Sequence, residues 1–217
     1  AKAGTHPMDV ALEAVGEAFK RGSSVLFERD AYSREWHEEA KLRGLVQAVT
    51  PPEKIDLLLL PKNKEMLEGL GVFKGLELEA LHEIRMDSFE RALEIEVSVL
   101  YDMLWEAILP AISKQLILEK NSLCALDGMD FPEGEPWRKY IRDMGCCKAR
   151  LIADAQKLDA LKEKIGALPA RQRADLLVEE ALPLMLSIRE QCDAAELLTS
   201  AEIWPYPIYR NLLSLSV

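Results

Sequence analysis

The sequence has little of what most catalytic and metal-binding motifs require. Its 217 residues include three histidines and four cysteines, and aromatic residues make up only 6%. None of the patterns HExxH, GxxxxGK[ST], GxGxxG, GxSxG or CxxC occurs. The sequence therefore offers no recognisable zinc-protease site, phosphate-binding loop, nucleophile elbow or redox motif. We assign no catalytic, cofactor-binding or metal-binding residue.

Long apolar runs are also missing. The longest, Ile55 to Leu60, is interrupted by Asp56 and followed by Pro61, whereas a membrane-spanning helix needs ~20 apolar residues. No secretion signal is recognisable. The net charge of −10 repels nucleic-acid phosphates and anionic membrane surfaces. We therefore expect a cytoplasmic protein with reduced cysteines and with neither nucleic-acid nor membrane partners.

Histidines and carboxylates could in principle form a metal site. The histidines are His6, His37 and His82, and none has a partner at metal-ligand spacing. Glu94 and Glu96 interrupt an apolar helical segment, and Asp102 follows. Di-metal bundles use Glu-x-x-His pairs, and neither glutamate has a histidine three residues later. Solvated faces or contacts with neighbouring chains explain these residues better than metal ligation.

The adjacent thiols Cys146 and Cys147 are the other candidate for chemistry. Lys148 and Arg150 lie close by in the sequence, and nearby cations favour the reactive thiolate. Cysteines also pack as small apolar residues in protein cores. A packing role is the preferred interpretation, because the sequence shows no base that would activate either thiol.

Helical periodicity dominates the chain. From Leu76 to about Asn121 there is no glycine, and Pro110 is the only proline. This pattern predicts one long helix, kinked at Pro110. Two further helical regions follow, from about 137 to 165 and from about 170 to 199, and Pro183 lies inside the second. The stretch 126–136 is rich in glycine and proline and is predicted to be a loop.

Shorter helices precede the long ones. We predict helices from Met8 to Arg21, from Ser33 to Arg43, from Thr50 to just before Pro61, and from Lys62 to Leu70. Ser33 is a suitable N-cap, because its hydroxyl can accept a hydrogen bond from an amide of the first helical turn. Glycines or prolines end each of these segments.

The C-terminal tail is the most unusual segment. Two prolines one residue apart exclude a regular helix and favour an extended form. Large amphipathic side chains here offer much contact area, so the tail either folds back onto its own bundle or docks on a neighbouring domain or subunit. The candidate contact residues are Trp204, Pro205, Tyr206, Pro207, Tyr209, Leu212 and Leu213.

Three long helices joined by loops must bury their apolar stripes against one another. We therefore predict an all-α fold: an antiparallel bundle of long, kinked helices with shorter N-terminal helices and an extended C-terminal tail. The predicted organisation is a single helical domain over 1–217. Short helices occupy 1–75, the long-helix bundle 76–200, and the docking tail 201–217.

Several short motifs resemble the C-terminal region of type III glutamine synthetases, in order and separation over nearly the whole chain. They are Tyr32-Ser33-Arg34-Glu35-Trp36-His37-Glu38-Glu39-Ala40, Arg43-Gly44-Leu45, Lys62-Asn63-Lys64, Ile95-Glu96, Asp102-Met103, Ile108-Leu109-Pro110-Ala111, Leu182-Pro183-Leu184-Met185, Arg189, Cys192-Asp193, Trp204-Pro205-Tyr206-Pro207-Ile208-Tyr209 and Leu212-Leu213. The segment 127–136, the Cys146-Cys147 pair and the last four residues match the family less well.

The resemblance implies a parent enzyme that makes glutamine from glutamate, ammonia and ATP with Mg or Mn ions, in a large oligomer. It also implies that the nucleotide, metal and glutamate ligands lie upstream of this region. We therefore expect a non-catalytic accessory or assembly domain whose partners are the upstream catalytic domain and neighbouring subunits. The alternative is an independent helical adaptor that binds a partner protein through its aromatic and proline-rich tail.

Overall fold

The computed structural model of the chain describes residues 6–23, 26–27, 30–125 and 134–214, without the side chains at 209, 210 and 214. Within those ranges the regular elements are helical and no strand occurs, which confirms the predicted all-α class. The helices are α1 Pro7–Gly22, α2 Arg34–Leu42, α3 Pro51–Asp56, α4 Pro61–Gly69, α5 Gly75–Met103, α6 Leu109–Ala125, α7 Gly134–Ala167, α8 Ala170–Leu176, α9 Leu182–Leu198 and α10 Tyr209–Ser214.

The chain forms two compact units, residues 1–54 and 55–217. In the first unit, Ser33 caps α2, because its Oγ accepts a hydrogen bond from the amide of Trp36 at 3.2 Å. The start of α3 is a capping box. The amide of Thr50 donates to Glu53 Oε2 at 3.0 Å, and the amide of Glu53 donates to Thr50 Oγ1 at 3.4 Å. These helices therefore begin at the residue types that the sequence indicated.

The second unit contains a bundle of three long helical rods. The first rod is α5 and α6 joined by a π-helical turn, the second is α7, and the third is α8 and α9 joined by another π-helical turn. Side-chain contacts show that α7 is antiparallel to both of the other rods. They are Glu119 with Trp137, Ser113 with Lys148, Tyr101 with Lys162, Tyr140 with Leu198, and Glu180 with Lys164.

The core lies along the line where the three rods meet. On α7 the buried residues recur every three or four positions, which aligns them on one face of the helix. The buried apolar residues of α7 are Met144, Cys147, Leu151, Ala155, Leu158, Leu161 and Ile165. The other rods contribute Leu93, Val97, Leu104, Ile108, Ile112, Leu177, Ala181, Ile188 and Ala195 to the same core.

The two prolines inside the long rods are accommodated by widened turns. The π turns span Leu104–Ile108 and Leu177–Ala181, and the amides of Leu109 and Leu182 each donate to the carbonyl five residues earlier. A proline has no amide hydrogen and its ring collides with the carbonyl four residues back. A wider turn directly before Pro110 or Pro183 relieves that collision, so each disturbance lies upstream of the proline itself.

The predicted loop at 126–136 needs a correction at its end. Residues 126–133 lie outside the described part of the chain, while Gly134–Ala167 is helical. The expectation that Gly134 and Pro136 belong to the loop is therefore wrong. A proline is compatible with the first turn of a helix, because its missing amide would have had no partner there.

The tail is non-helical through its proline-rich part and then becomes helical again. Residues 204–208 contain no helix, and the short helix α10 follows. Pro205 and Pro207 prevent a regular helix around them, whereas no proline follows Ile208. The extended segment is thus shorter than the predicted range of 201–217, whose last three residues lie outside the described part.

Candidate functional site

A well-formed apolar groove lies in the second unit, with a volume of about 640 Å³. One wall is α5 and the other is α9, and the tail closes one side. The residues that line it are Ile95, Glu96, Val99, Leu100, Met103 and Ile108 from the first rod, Leu182, Met185, Leu186, Arg189, Cys192 and Glu196 from the third, and Trp204, Tyr206 and Pro207 from the tail. We call this feature the tail groove.

The walls of the tail groove follow from helical geometry. Ile95, Val99 and Met103 are four residues apart and therefore share one face of α5. Ile95 is 63% exposed and Leu186, on the opposite wall, is 58% exposed. Such residues leave an apolar surface on both sides of the groove in contact with solvent. Contiguous apolar surface of this kind marks binding sites more often than isolated exposed side chains do.

The tail is fixed to its own bundle at its base. The amide of Ser200 donates to Gln115 Oε1 at 3.1 Å, and the hydroxyl of Thr199 donates to the carbonyl of Ala195 at 2.8 Å. Trp204 is only 8% exposed and belongs to the core. Tyr206 packs against the same core and lines the groove.

The remaining candidate contact residues of the tail lie further out. Pro205, Pro207, Leu212 and Leu213 are exposed, and the side chain of Tyr209 lies outside the described part of the chain. The structure therefore separates the predicted set into a buried anchor, a groove-lining tyrosine and an exposed end. The assignment of these residues to an interdomain or subunit contact remains a prediction.

Carboxylates outnumber cations around the tail groove. Glu96 and Glu196 line it, and Arg189, the cation in the lining, is 3.9 Å from the carboxylate of Asp193. The pKa of Tyr206 is raised, chiefly by burial and further by the negative charge of Glu106. The groove thus combines apolar residues with a rim that carries two carboxylates and one cation beside a further carboxylate.

A second polar cluster joins α5 to α8. Arg173 Nε lies 3.1 Å from Glu90 Oε2, and Arg173 Nη1 lies 3.3 Å from Glu94 Oε1. Glu90 is 3% exposed, and its burial raises the pKa of its carboxyl group, while the nearby guanidinium acts in the opposite direction. Glu94, which was considered as a metal ligand, is therefore half of an ion pair between helices.

A second set of polar contacts lies beside this cluster, and both sets line the same pocket. Asp56 accepts from His82 Nε2 at 2.9 Å and from Arg171 Nη1 at 2.5 Å. His82 is thus a half-buried partner of a carboxylate rather than the surface residue that the sequence suggested. Among the described residues no group of three or more His, Cys, Asp or Glu side chains could hold a metal ion.

The thiols of Cys147 and Cys192 lack the environment of a nucleophile. Burial raises the pKa of Cys147, against a smaller opposite effect of Arg150, and burial raises the pKa of Cys192 to about 12. Lys148 donates to Ser113 Oγ at 2.6 Å instead of facing a thiol. A buried thiol with a raised pKa stays protonated and unreactive, which supports the packing interpretation for Cys147.

The motif around α2 forms a packed cluster in the first unit. The rings of Phe27 and Trp36 lie 4.5 Å apart between centroids, and the guanidinium of Arg43 lies 5.6 Å from the ring centre of Trp36. Arg43 also donates to the carbonyl of Leu26 at 2.6 Å and pairs with Glu39. Trp36, Glu39 and Arg43 belong to the family-like motifs of the sequence, and the structure shows that they pack together with Phe27 along α2.

The described residues contain no helix that is long and apolar enough to cross a membrane. They present an all-helical domain with an apolar groove and paired charges. By class, this is an all-helical protein.

Comparison with known proteins defines the family. The family model of the glutamine synthetase C-terminal domain matches residues 11–122, just over half of the chain. The chain belongs to this family. The match confirms the resemblance to glutamine synthetases that the sequence motifs indicated.

Relatives extend the similarity over most of the chain. It is 28% identical over 197 residues to the type-3 glutamine synthetase of Dictyostelium discoideum, covering 88% of this chain and 27% of that protein. It is 29% identical over 201 residues to a glutamine synthetase of Bacteroides fragilis, with 87% and 27% covered. A glutamine synthetase of Butyrivibrio fibrisolvens is 26% identical over 211 residues, with 93% and 29% covered. The chain thus spans less than a third of these relatives.

Proposed function

We propose that this chain is the C-terminal accessory and assembly domain of a glutamine synthetase. The parent enzyme would make glutamine from glutamate, ammonia and ATP in the cytoplasm. The main support is the family match at residues 11–122, together with the 27–29% share of the relatives that the chain covers. A segment of that size leaves most of such an enzyme outside it, including room for a complete catalytic domain.

The ATP and the Mg or Mn ions of the parent are assigned to that remaining part. The described residues offer no group of three potential metal ligands. Their buried carboxylates are paired with cationic side chains: Glu90 with Arg173, and Asp154 with Lys157 at 2.7 Å. Such a set does not fit a metal-nucleotide site, which needs free oxygen ligands, so no step of the reaction is assigned to this chain.

Unburied apolar surface supports an assembly role. Within the first unit, α1 has no buried residue, although Met8, Leu12, Val15 and Phe19 share one face of the helix. Isolated amphipathic helices of this length are marginal in water and are normally stabilised by packing of the apolar face. The partners proposed for such surfaces are the upstream catalytic domain and neighbouring subunits.

The test compares ATP-dependent glutamine formation by this chain and by the complete polypeptide that carries it. We expect activity in the complete polypeptide alone, and we expect deletion of residues 1–217 to lower the mass of the assembled particle in light scattering. Saturable glutamine formation by this chain by itself would overturn the proposal. Absence of activity in both, with an unchanged particle after deletion, would favour the independent adaptor instead.

A further inference from the structure

The tail groove exposes apolar surface that is neither buried in the core nor covered by an ion-pair cluster. Its volume of about 640 Å³ falls in the range of well-formed binding sites. Ile95 and Val99 stand exposed on one wall and Leu186 stands exposed on the other. The groove needs an occupant that brings aliphatic side chains to both walls at once.

The shape of the walls favours a helix. Ile95, Val99 and Met103 form a ridge with four-residue spacing along α5. Leu182, Leu186 and Arg189 follow a similar spacing along α9. An amphipathic helix laid between two such ridges contacts both with residues at positions i, i+3, i+4 and i+7, which is the common mode of helix-in-groove recognition.

The lining is also adaptable and anchored at one side. Met103 and Met185 are flexible and polarizable, and methionines of this kind accommodate an incoming side chain by changing rotamer. Trp204 and Tyr206 form a fixed aromatic wall, because Trp204 is part of the core and Tyr206 packs on it. The groove therefore has a rigid aromatic side and two helical walls that each carry a flexible methionine.

Charge selects among possible occupants. Glu96 and Glu196 line the groove, and the positive charge of Arg189 has the carboxylate of Asp193 3.9 Å away. A helix with Lys or Arg beside its aliphatic stripe complements this rim, whereas an acidic helix is repelled. Since the whole chain carries a net charge of −10, a second copy of it is a poor electrostatic match.

We propose that the tail groove receives an amphipathic, basic-flanked helix from the part of the same polypeptide that precedes this chain. This inference rests on the proposed function, because it identifies the surface by which the domain is attached to the enzyme. The relatives supply the argument for the source: about 27–29% of their length matches this chain, so most of each polypeptide lies outside it.

The test places a photo-crosslinking amino acid at position 186 of the complete polypeptide. We expect a product at the mass of one polypeptide, in which residue 186 is joined to an upstream peptide containing Lys or Arg. The matched control is position 197, which is on the same helix, is 87% exposed and lies outside the groove. The yield at 186 is expected to be at least tenfold higher than at 197.

Three outcomes would overturn the inference. They are a crosslink from 186 into residues 1–217 of a second copy, a crosslink to the upstream part of a different polypeptide, and yields at 186 no higher than at 197. The rim charge is tested by Glu96→Lys, which should lower the crosslink yield several-fold, with Glu163→Lys on the exposed face of α7 as the control. Equal effects of the two substitutions would contradict the proposed Lys or Arg residues beside the apolar face of the bound helix.

The proposed function can survive a failure here. If deletion of residues 1–217 disrupts the particle while position 186 gives no upstream crosslink, the domain serves assembly through another surface and the tail groove is not the attachment. If the deletion leaves the particle intact, the assembly role itself fails.

Discussion

Trp204 lies beyond the end of α9 and yet packs in the core of the bundle. The sequence identified it as a contact residue, because a large aromatic group between non-helical residues offers much area for burial. Whether that area meets its own bundle or a neighbour could not be decided from sequence, since both outcomes require the same residue type. In the structure Trp204 is buried against its own bundle, and the hydrogen bond from Ser200 to Gln115 turns the chain back onto the first rod.

We therefore expect Trp204→Ala to destabilise the isolated chain. Truncation of a buried tryptophan leaves a cavity and typically costs ~3–5 kcal/mol of the free energy of unfolding. Trp105→Ala is the matched control, because Trp105 is 40% exposed and should lose much less. Urea denaturation followed by circular dichroism measures both values. Similar losses for the two variants would contradict the burial of Trp204.

The ion pair between Glu90 and Arg173 could not be predicted from the sequence. Glu90 lies in a helical stripe that looks ordinary in sequence, and its ion-pair partner is on another rod. The helices were predictable from periodicity, but the register in which α8 lies beside α5 was not. Without that register, no pattern could assign Glu94 to Arg173 rather than to a metal.

The buried carboxyl of Glu90 makes the free energy of unfolding depend on pH, and the raised pKa fixes the sign of that dependence. Its pKa is raised in the folded chain, so as the pH rises above about 4.5 the unfolded chain loses this proton first. The folded state then binds more protons than the unfolded state, and stability falls with rising pH until the folded pKa is passed. In Glu90→Gln this contribution is absent.

We expect the free energy of unfolding of Glu90→Gln, relative to the unsubstituted chain, to increase between about pH 4 and pH 7. Urea denaturation at several pH values measures it. Glu163→Gln removes one exposed carboxylate from α7 and should show no comparable trend. A relative stability of Glu90→Gln that decreases over this range would show that the ion pair with Arg173 outweighs the desolvation of Glu90.

At the scale of the elements, the two π turns share more than a proline. Leu104–Pro110 and Leu177–Pro183 both follow the pattern Leu-x-Glu-x-x-Leu-Pro, and in both cases one leucine separates the end of the turn from the proline. The sequence predicted a kink because proline cannot make the usual helical hydrogen bond. It did not predict a wide turn, because the widening depends on how Leu104, Ile108, Leu177 and Ala181 fit the core.

We expect the widened turn to make Pro110 nearly neutral in free energy. In Pro110→Ala, the regained amide hydrogen can stabilise the folded chain through a hydrogen bond, whereas the loss of proline makes the unfolded chain more flexible and so destabilises the folded state. Because these effects oppose each other, the change in the free energy of unfolding should stay within about 1 kcal/mol. Lys114→Pro, one turn further along α6 at an exposed position, should cost ~3 kcal/mol or more. Thermal and urea denaturation compare the two, and equal costs would contradict this account.

At the scale of the whole molecule, the groove depends on parts that are distant in sequence. Its residues come from the first rod, from α9 and from the tail, and they meet only because the first and third rods lie beside each other. Composition and periodicity predicted the rods and their antiparallel arrangement. The groove itself required the return of the tail, which the sequence left open between two alternatives.

Thiol accessibility tests the packing of the whole bundle. Cys124 and Cys146 are exposed, whereas Cys147 is buried and Cys192 is partly buried with a pKa of about 12. We expect a thiol-specific reagent at neutral pH to label Cys124 and Cys146 rapidly, Cys192 slowly because its raised pKa keeps it protonated, and Cys147 at the rate of unfolding. Cys124→Ser with Cys146→Ser should abolish the fast phase. A fast phase that persists in this variant would show that the bundle opens around Cys192.

The wide turns at Leu104–Ile108 and Leu177–Ala181 also affect how this chain is matched to its relatives. A π turn is equivalent to one residue added to an α-helix without a break in the rod. A relative whose rod lacks the turn is expected to be one residue shorter there. An ungapped alignment through that point would match each following residue of this chain to a residue one position away in the relative. The matched residues would then lie on helix faces about 100° apart. Gaps placed at these two turns keep the core positions of α6 and α9 in correspondence.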